Sequence, residues 1–584
     1  MQPLVRSILW SLVDSAAFAL ALTLMAGCTA PTIRSQSPDL EELTQVSNAT
    51  QFVNDLARPV GMRWVAVESV GLVVGLAGTG SDPPPSSQRG ILLTEMQGRH
   101  VENANEVLAS PNTSLVLVRG VLPPGVRKGD PIDVEVQVPS RSKTTSLAGG
   151  WLMQTRLREM AVLNNRIATG HELARAEGHV LVNALTQGDE DKVWLTRGSV
   201  LGGGVSLTTR PLGLAVRDDY HSVVTSSRIG TAINERFHIY QQGAKRGVAT
   251  PKRDDFIELA VHPRYRDNLL RYIRVVQSIP VRESPPDRLA RVEQLQRELL
   301  VPSTSARAAI RLEALDSEGQ LALQAGLQST NEEVRFYAAE ALAYLDNSAA
   351  APVLSASARD VPAFRWRALK ALGAMDEAKA YDELSELLHV PSAETRYGAF
   401  RALVELGPDD PQVAGKNLGG VLHLHVVSSP AEPMVHITRS QRPEIVLFGG
   451  DHRLRPPVLL FAGKHTMVKE GSLNELTVRR YATDDAKDVT QQCPARLDEL
   501  IRTLVGLGAS YPDVVQVITQ AAKNKNLSSR VVFDAVPELG RKYYRHGDQT
   551  EEEEIEGLAE SDEPWADDGS DSDSPASQGE GSAD

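Results

Sequence analysis

EVRFYAAEALAYL at Glu333–Leu345, AFRWRALKALGAM at Ala363–Met375 and ETRYGAFRALVEL at Glu394–Leu406 are three copies of one pattern. Arg335, Arg365 and Arg396 are equivalent, as are Ala338, Ala368 and Ala399; Leu342, Leu372 and Leu403; and Leu345, Met375 and Leu406, at spacings of 30 and 31 residues. Within each copy the apolar positions recur every three or four residues, the period of a helix. Alanine at the contact positions lets helices approach closely, and leucine and methionine fill the shared core. Ala308, Leu312 and Leu315 mark a degenerate earlier copy. A unit of this length cannot bury its apolar face alone, so neighbours stack into an α-solenoid. An ordinary alanine-rich bundle is the other reading, and both give a scaffold rather than chemistry.

On the N-terminal side of the repeats, residues 59–280 read as a strand-rich body. Val60–Ser81 alternates valine and leucine between glycines, and Thr113–Val121 is a second strand. In the next run Ile132, Val134, Val136 and Val138 alternate with Asp133, Glu135 and Gln137, which predicts a half-buried strand with one wet face. Further strands are expected at Gly178–Val182, Val193–Thr196, Val205–Thr208, Leu212–Val216 and Phe256–Val261. Helices are expected over Leu92–Leu108, around Ile229, Ile233 and Phe237, and over Pro263–Gln277 with Leu269, Leu270, Ile273 and Val276 on one side. A charged helical connector covers 281–303, and the repeats span 304–408.

Beyond them, 418–537 returns to strands, at Val421–Val427, Met434–Thr438, Ile445–Phe448 and Val458–Phe461. Two amphipathic helices follow, one carrying Leu497, Leu500, Ile501 and Leu504 and one starting at Pro512, before a last strand at Val531–Phe533. From Asp548 to Asp584 there are 15 acidic residues and no Lys or Arg, so 548–584 is expected to be disordered. The fold class is α+β: a mixed strand-rich body interrupted by an α-solenoid, with an acidic tail.

Composition narrows the function. The 584-residue chain is 41% apolar and has a net charge of −14, but without the tail it carries 61 basic and 60 acidic residues. That balance lacks the footprint of a nucleic-acid binder. No apolar run reaches the ~20 residues of a membrane span. Two cysteines cannot make a disulfide framework or a four-cysteine zinc site. The N-terminus reads as a signal peptide over 1–27, with Arg6 before the apolar run SAAFALALTLMAG that ends at Cys28. Leu24-Met25-Ala26-Gly27-Cys28 resembles the lipobox of bacterial lipoproteins, which implies lipidation of Cys28 and a tether over 28–58. A plain secretory signal is the alternative.

Catalytic motifs fail one by one. Gly71–Gly80 is glycine-rich but no Lys-Ser or Lys-Thr follows, so it is turn glycine and not a phosphate loop. Ser140 and Lys143 match S-x-x-K, but they follow a strand and the chain has no K-T-G. His423 and His425 stand two apart, on one face of a strand, and with His436 they offer three imidazoles for zinc without a motif-placed acid. Cys493 has no accompanying histidine motif. The expectation is a non-enzyme with no catalytic, cofactor or metal residues and no cofactor.

Three runs together resemble the bacterial flagellar basal-body P-ring protein family. They are Val70–Gly80; Thr113–Pro124 with Arg127–Val134; and Thr145–Thr155. Weaker similarity runs through Gly198–Gly204 and resumes over Arg439–Val458 and Leu497–Phe533. The 30–31-residue repeats resemble HEAT repeats and look like an insertion into the family body. The resemblance implies a structural component of the flagellar basal body: a homo-oligomeric periplasmic ring around the rod, acting as a bushing without catalysis. The implied partners are further copies, the rod and outer-membrane ring proteins, peptidoglycan, and a membrane through the lipid anchor, with no nucleic acid. The alternative is a lipid-anchored envelope scaffold without a flagellar role.

Overall fold

The computed structural model describes residues 50–163, 166–183, 192–241, 243–472, 474–482 and 487–545. The expected signal segment, Cys28 and the acidic tail lie outside these residues. Residues 51–58, expected to end the tether, are instead folded. Gln51–Phe52 pairs with Pro280–Arg282, Ala57–Val60 pairs with Leu212–Val216, and Val53, Leu56 and Ala57 are buried.

Six antiparallel strands close into a barrel in the order Pro131–Gln137, Ser114–Leu122, Val65–Val74, Trp151–Leu163, Arg166–His179 and Arg197–Ser206, the last pairing back onto the first. Leu181–Val182 adds a short seventh strand. Val67, Val116, Val118, Val134, Val136 and Ala174 fill the interior. Small β-branched side chains suit so narrow a lumen. Asp133 and Glu135 point outward, as the alternation requires. Two helices, Ser87–Gly98 and Ala104–Ala109, cover one outer face through Leu92, Met96 and Leu108. The expected single helix over Leu92–Leu108 is broken at 99–103, where His100 and Asn103 take left-handed backbone.

The strand expected at Val193–Thr196 is a helical turn, Lys192–Leu195, and the strand begins at Arg197 and runs through the glycines. Glycine there removes the side chains that would crowd neighbouring strands, so a strand signal based on branched residues misses it. The long pair Trp151–Leu163 and Arg166–His179 also lay outside the expectation, because its wet face is rich in arginine and glutamate.

An antiparallel sheet, in the order Ala249–Pro251, Phe256–Leu259, Leu212–Val216 and Ala57–Val60, packs against helix Val223–Arg236. Ile229, Ile233 and Phe237 are fully buried there. The helix expected over Pro263–Gln277 divides into a short 3-10 turn, Pro263–Tyr265, and helix Leu269–Gln277, because the Asn268 side chain accepts from the Arg271 amide and starts a new helix. Leu270 is 53% exposed, and Tyr272 and Val275 are buried in its place.

After helix Pro285–Leu299 the solenoid runs through Pro302–Ala314, Ser317–Gly326, Glu332–Tyr344, Ala351–Asp360, Pro362–Leu372, Ala378–Leu387 and Ala393–Leu406. Ala338, Ala368, Ala399, Leu342, Leu372 and Leu403 are buried, as are Ala308 and Leu312 of the early copy. Their core is continuous with that of the preceding sheet. Leu406, at the end of the array, is partly exposed because no further repeat covers it.

The chain then forms a five-stranded mixed sheet, in the order Gly415–Leu418, Leu422–Val427, Glu444–Phe448, Met434–Ile437 and Arg530–Phe533. A second sheet, Leu459–Ala462, Thr466–Glu470, Glu475–Arg480 and Val489–Pro494, follows in meander order. Helices Leu497–Gly506 and Tyr511–Lys523 share their core with Leu181 and Leu201 of the barrel. Asp133 binds this region to the barrel, accepting from the Gly202 and Gln441 amides, and Lys464 donates to the Ala77 carbonyl at 3.2 Å.

Candidate functional site

The three P-ring-like runs converge at one end of the barrel. Val70–Gly80 leaves a barrel strand, Thr113 enters the neighbouring one, and Thr145 leads into Trp151 on the other side. Their loops interlock. Leu76 donates to the Asn112 carbonyl, Gly80 to that of Pro111 at 2.8 Å, and Thr145 to that of Thr79 at 2.9 Å. Between the loops lies a cluster of hydroxyls. Ser81 Oγ sits 3.0 Å from Thr144 Oγ1, which is 2.8 Å from Ser114 Oγ; Ser142 Oγ is 3.1 Å from Ser81. Ser114 and Thr144 are buried, so their polar atoms need these partners, and buried Thr113 donates instead to the Val107 carbonyl. Gly80 fits because a Cβ there would stand 2.1 Å from the Thr113 carbonyl oxygen. Runs far apart in sequence are thus one structural unit, which explains why they occur together.

A second constellation joins the body to the solenoid. Arg271, on helix Leu269–Gln277, is buried between two carboxylates of the solenoid. Its Nε donates to Glu313 Oε2 at 3.0 Å, and its Nη1 lies 2.6 Å from Glu340 Oε2. Arg367 also pairs with Glu340, and Tyr265 donates to Glu313 Oε1 at 2.6 Å. The Arg271 guanidinium lies over the Tyr344 ring, 4.7 Å from its centroid. Burial pushes the Glu313 carboxyl above its ordinary value against the pull of Arg271. Burial also pushes Glu340 up, but Arg271 and Arg367 together hold it below its ordinary value. Two guanidinium groups and two carboxylates balance, so the junction is neutral and hydrogen-bonded. None of these four stands out in the sequence by motif or spacing. Their signal was charge inside an apolar helical run, as in LLRYIRVV and AAEALA.

The histidines separate. His423 is exposed, whereas His425 and His436 are buried, so the first two share a strand face but not an environment. The sheet is covered on both faces: Leu422 and Leu424 pack into one core and Val427 into the other, and Phe400 covers His425 but leaves His423 open. His425 is 2.8 Å from the Val413 carbonyl through Nδ1 and packs edge-on against Phe400. His436 stacks on Tyr397 at 3.6 Å, accepts from the Ala535 amide, and is pushed down to about 3 by burial. Among the described residues no group of three or more His, Cys, Asp and Glu side chains is placed to hold a metal ion. Cys493 is buried in the core of the C-terminal region, and burial raises its thiol. Ser140 and Lys143 lie in a loop.

A cleft of about 1,040 Å³ opens between the Pro263–Asn268 turn, the ends of the repeat helices and residues 536–538. Several of its charges are paired: Arg264 with Asp346 at 2.9 Å and Asp376 at 3.2 Å, and Arg401 with Glu444 at 3.1 Å. It is a polar seam between body and solenoid. Among the described residues no helix is long and apolar enough to cross a membrane.

The described residues thus form a closed barrel joined through a buried charge cluster to a helical solenoid. Residues 53–294 match the family model described as flagellar P-ring protein, and 319–404 match HEAT repeats. The chain therefore joins a segment similar to P-ring proteins to one similar to HEAT repeats. The flagellar P-ring protein of Thermotoga maritima is 29% identical over 251 residues, covering 41% of this chain and 70% of the relative. That of Geotalea uraniireducens is 30% identical over 252 residues, 41% and 62% of the two chains. That of Anaeromyxobacter dehalogenans is 32% identical over 248 residues, 39% and 60%.

Proposed function

We propose that copies of this chain assemble into a periplasmic ring around the flagellar rod and serve there as a non-catalytic bushing, each copy carrying its solenoid as an added protein-binding arm. The observation that carries this reading is the interlocking of the three P-ring-like runs at one end of the barrel, within the span that matches the family. Residues 418–537 complete the P-ring body, and 304–408 are an insertion into it; the bonds from Gln441 and Lys464 back to the barrel support this. Head-to-tail contacts between copies close the ring. Its partners are the rod, the outer-membrane ring and peptidoglycan. Lipidated Cys28 anchors each copy to the outer membrane after removal of residues 1–27.

Quantitative mass spectrometry of isolated basal bodies against the whole envelope tests the proposal. Co-enrichment with rod and hook proteins, at many copies per rod, is expected. An even spread through the envelope, with none in basal bodies, would refute it. That result would favour the second reading, a lipid-anchored scaffold without a flagellar role, for which the rigidly held solenoid already speaks.

A further inference from the structure

After the last strand the chain does not leave the fold. It crosses the solenoid as an irregular strap over residues 534–545. Arg541 grips Glu394 with two hydrogen bonds of 2.8 and 2.7 Å. Tyr543 stacks on Phe364, with ring centroids 4.6 Å apart, and donates to Glu332 at 3.3 Å. Arg545 grips Glu333 at 2.7 and 2.9 Å. Lys542 and Tyr544, between them, are exposed. Alternate residues therefore face the solenoid, as in an extended chain.

The receiving surface repeats as the solenoid does. Glu333 and Glu394 occupy the same position in their repeats, two residues before the equivalent arginines, and Phe364 comes from the repeat between them. The face reads acid, aromatic, acid across the equivalent helices of three successive repeats, and the strap reads Arg, Tyr, Arg in the opposite direction. Glu333 is buried, so its carboxylate requires a cation from outside the helix. Arg365 holds Glu394 from within the solenoid at 2.9 Å, fixing that carboxylate toward the strap. The hydrogen bond from Arg541 leads the effects that hold the Glu394 carboxyl below its ordinary value. The strap's own arginine side chains remain 32% and 46% exposed. Water screens such pairs, so the strap is held largely by being tethered nearby.

We propose that this face of the solenoid is a docking site for extended segments with arginines two residues either side of an aromatic, and that Arg541–Arg545 occupies it in cis until a partner segment of the same chemistry displaces it. This gives the solenoid of the proposed ring subunit a defined ligand class. It stands apart from whether the ring forms, because the site lies within one chain.

The test uses the full chain and a fluorescein-labelled peptide of residues 537–547, read by fluorescence anisotropy. In a released variant, Arg541, Tyr543 and Arg545 are each replaced by serine. The released variant is expected to bind the peptide at least tenfold more tightly than the unaltered chain. Adding Glu333→Arg and Glu394→Arg to the released variant should abolish that binding. Equal binding by released and unaltered chains, or indifference to the two glutamate reversals, would overturn the proposal. A separate arm keeps the strap sequence and measures trypsin cleavage after Arg541, Lys542 and Arg545. Glu333→Gln with Glu394→Gln should speed that cleavage at least tenfold, and an unchanged rate would overturn cis occupancy.

Discussion

Replacing Arg271 by methionine tests whether the solenoid is welded to the body. Methionine keeps most of the apolar stem and removes the charge. Glu313 would retain only the Tyr265 hydroxyl, and Glu340 would retain Arg367. Both carboxylates are essentially inaccessible to water, so the cluster would pass from neutral to one uncompensated buried negative charge. Breaking a buried pair from one side costs about 3–5 kcal/mol. That is a large part of the roughly 5–15 kcal/mol that holds a domain folded. The loss should be local, so the assay is hydrogen exchange of helices Leu269–Gln277, Pro302–Ala314 and Glu332–Tyr344. Their opening free energies should fall together, while the barrel strands keep theirs. Arg271→Met combined with Glu313→Leu removes both the stranded charge and the carboxylate's need for it, and should recover more than half the loss. A single-variant loss below about 1 kcal/mol would show that the junction depends on apolar packing and that the charges are incidental.

Gly80→Ala should destabilise the barrel by about 1–3 kcal/mol or more, because the new Cβ meets the Thr113 and Pro111 carbonyl oxygens; a thermal melt of the variant checks this. The buried His436 titrates at about 3 when folded and near its ordinary value when unfolded. Between those two values the unfolded chain binds more protons, so stability should fall as the pH is lowered through that window, by about 1.4 kcal/mol per unit from this group. Urea midpoints measured from pH 7 to 4 should show a flatter profile in His436→Gln. The Cys493 thiol, buried and raised, should react with a thiol reagent far more slowly in the native chain than in denaturant, and equal rates would place it on the surface.

The repeats were the most legible part of the sequence. Ala338, Ala368 and Ala399 recur in phase with Leu342, Leu372 and Leu403, and burying a helix face leaves that period in the residues. The half-buried strand around Val134 was legible for the same reason, since water on one face and core on the other leave alternation. The lipobox-like end at Cys28 was read from a motif and the acidic tail from composition. Both lie outside the described residues.

What only tertiary structure decided were the contacts between distant segments. Strand Arg197–Ser206 carries glycines because a closed barrel brings neighbouring side chains against it, and no local window records that crowding. The pair His423 and His425 divided between water and core because a neighbouring helix places Phe400 over one of them. Arg271 and the Arg541–Arg545 strap were legible only as charges, since a charge in a sequence does not name its partner. Periodicity is a local property and survives in the chain. Pairing across 42 residues, as between Arg271 and Glu313, or 212, as between Arg545 and Glu333, exists only once the fold has brought the two groups together.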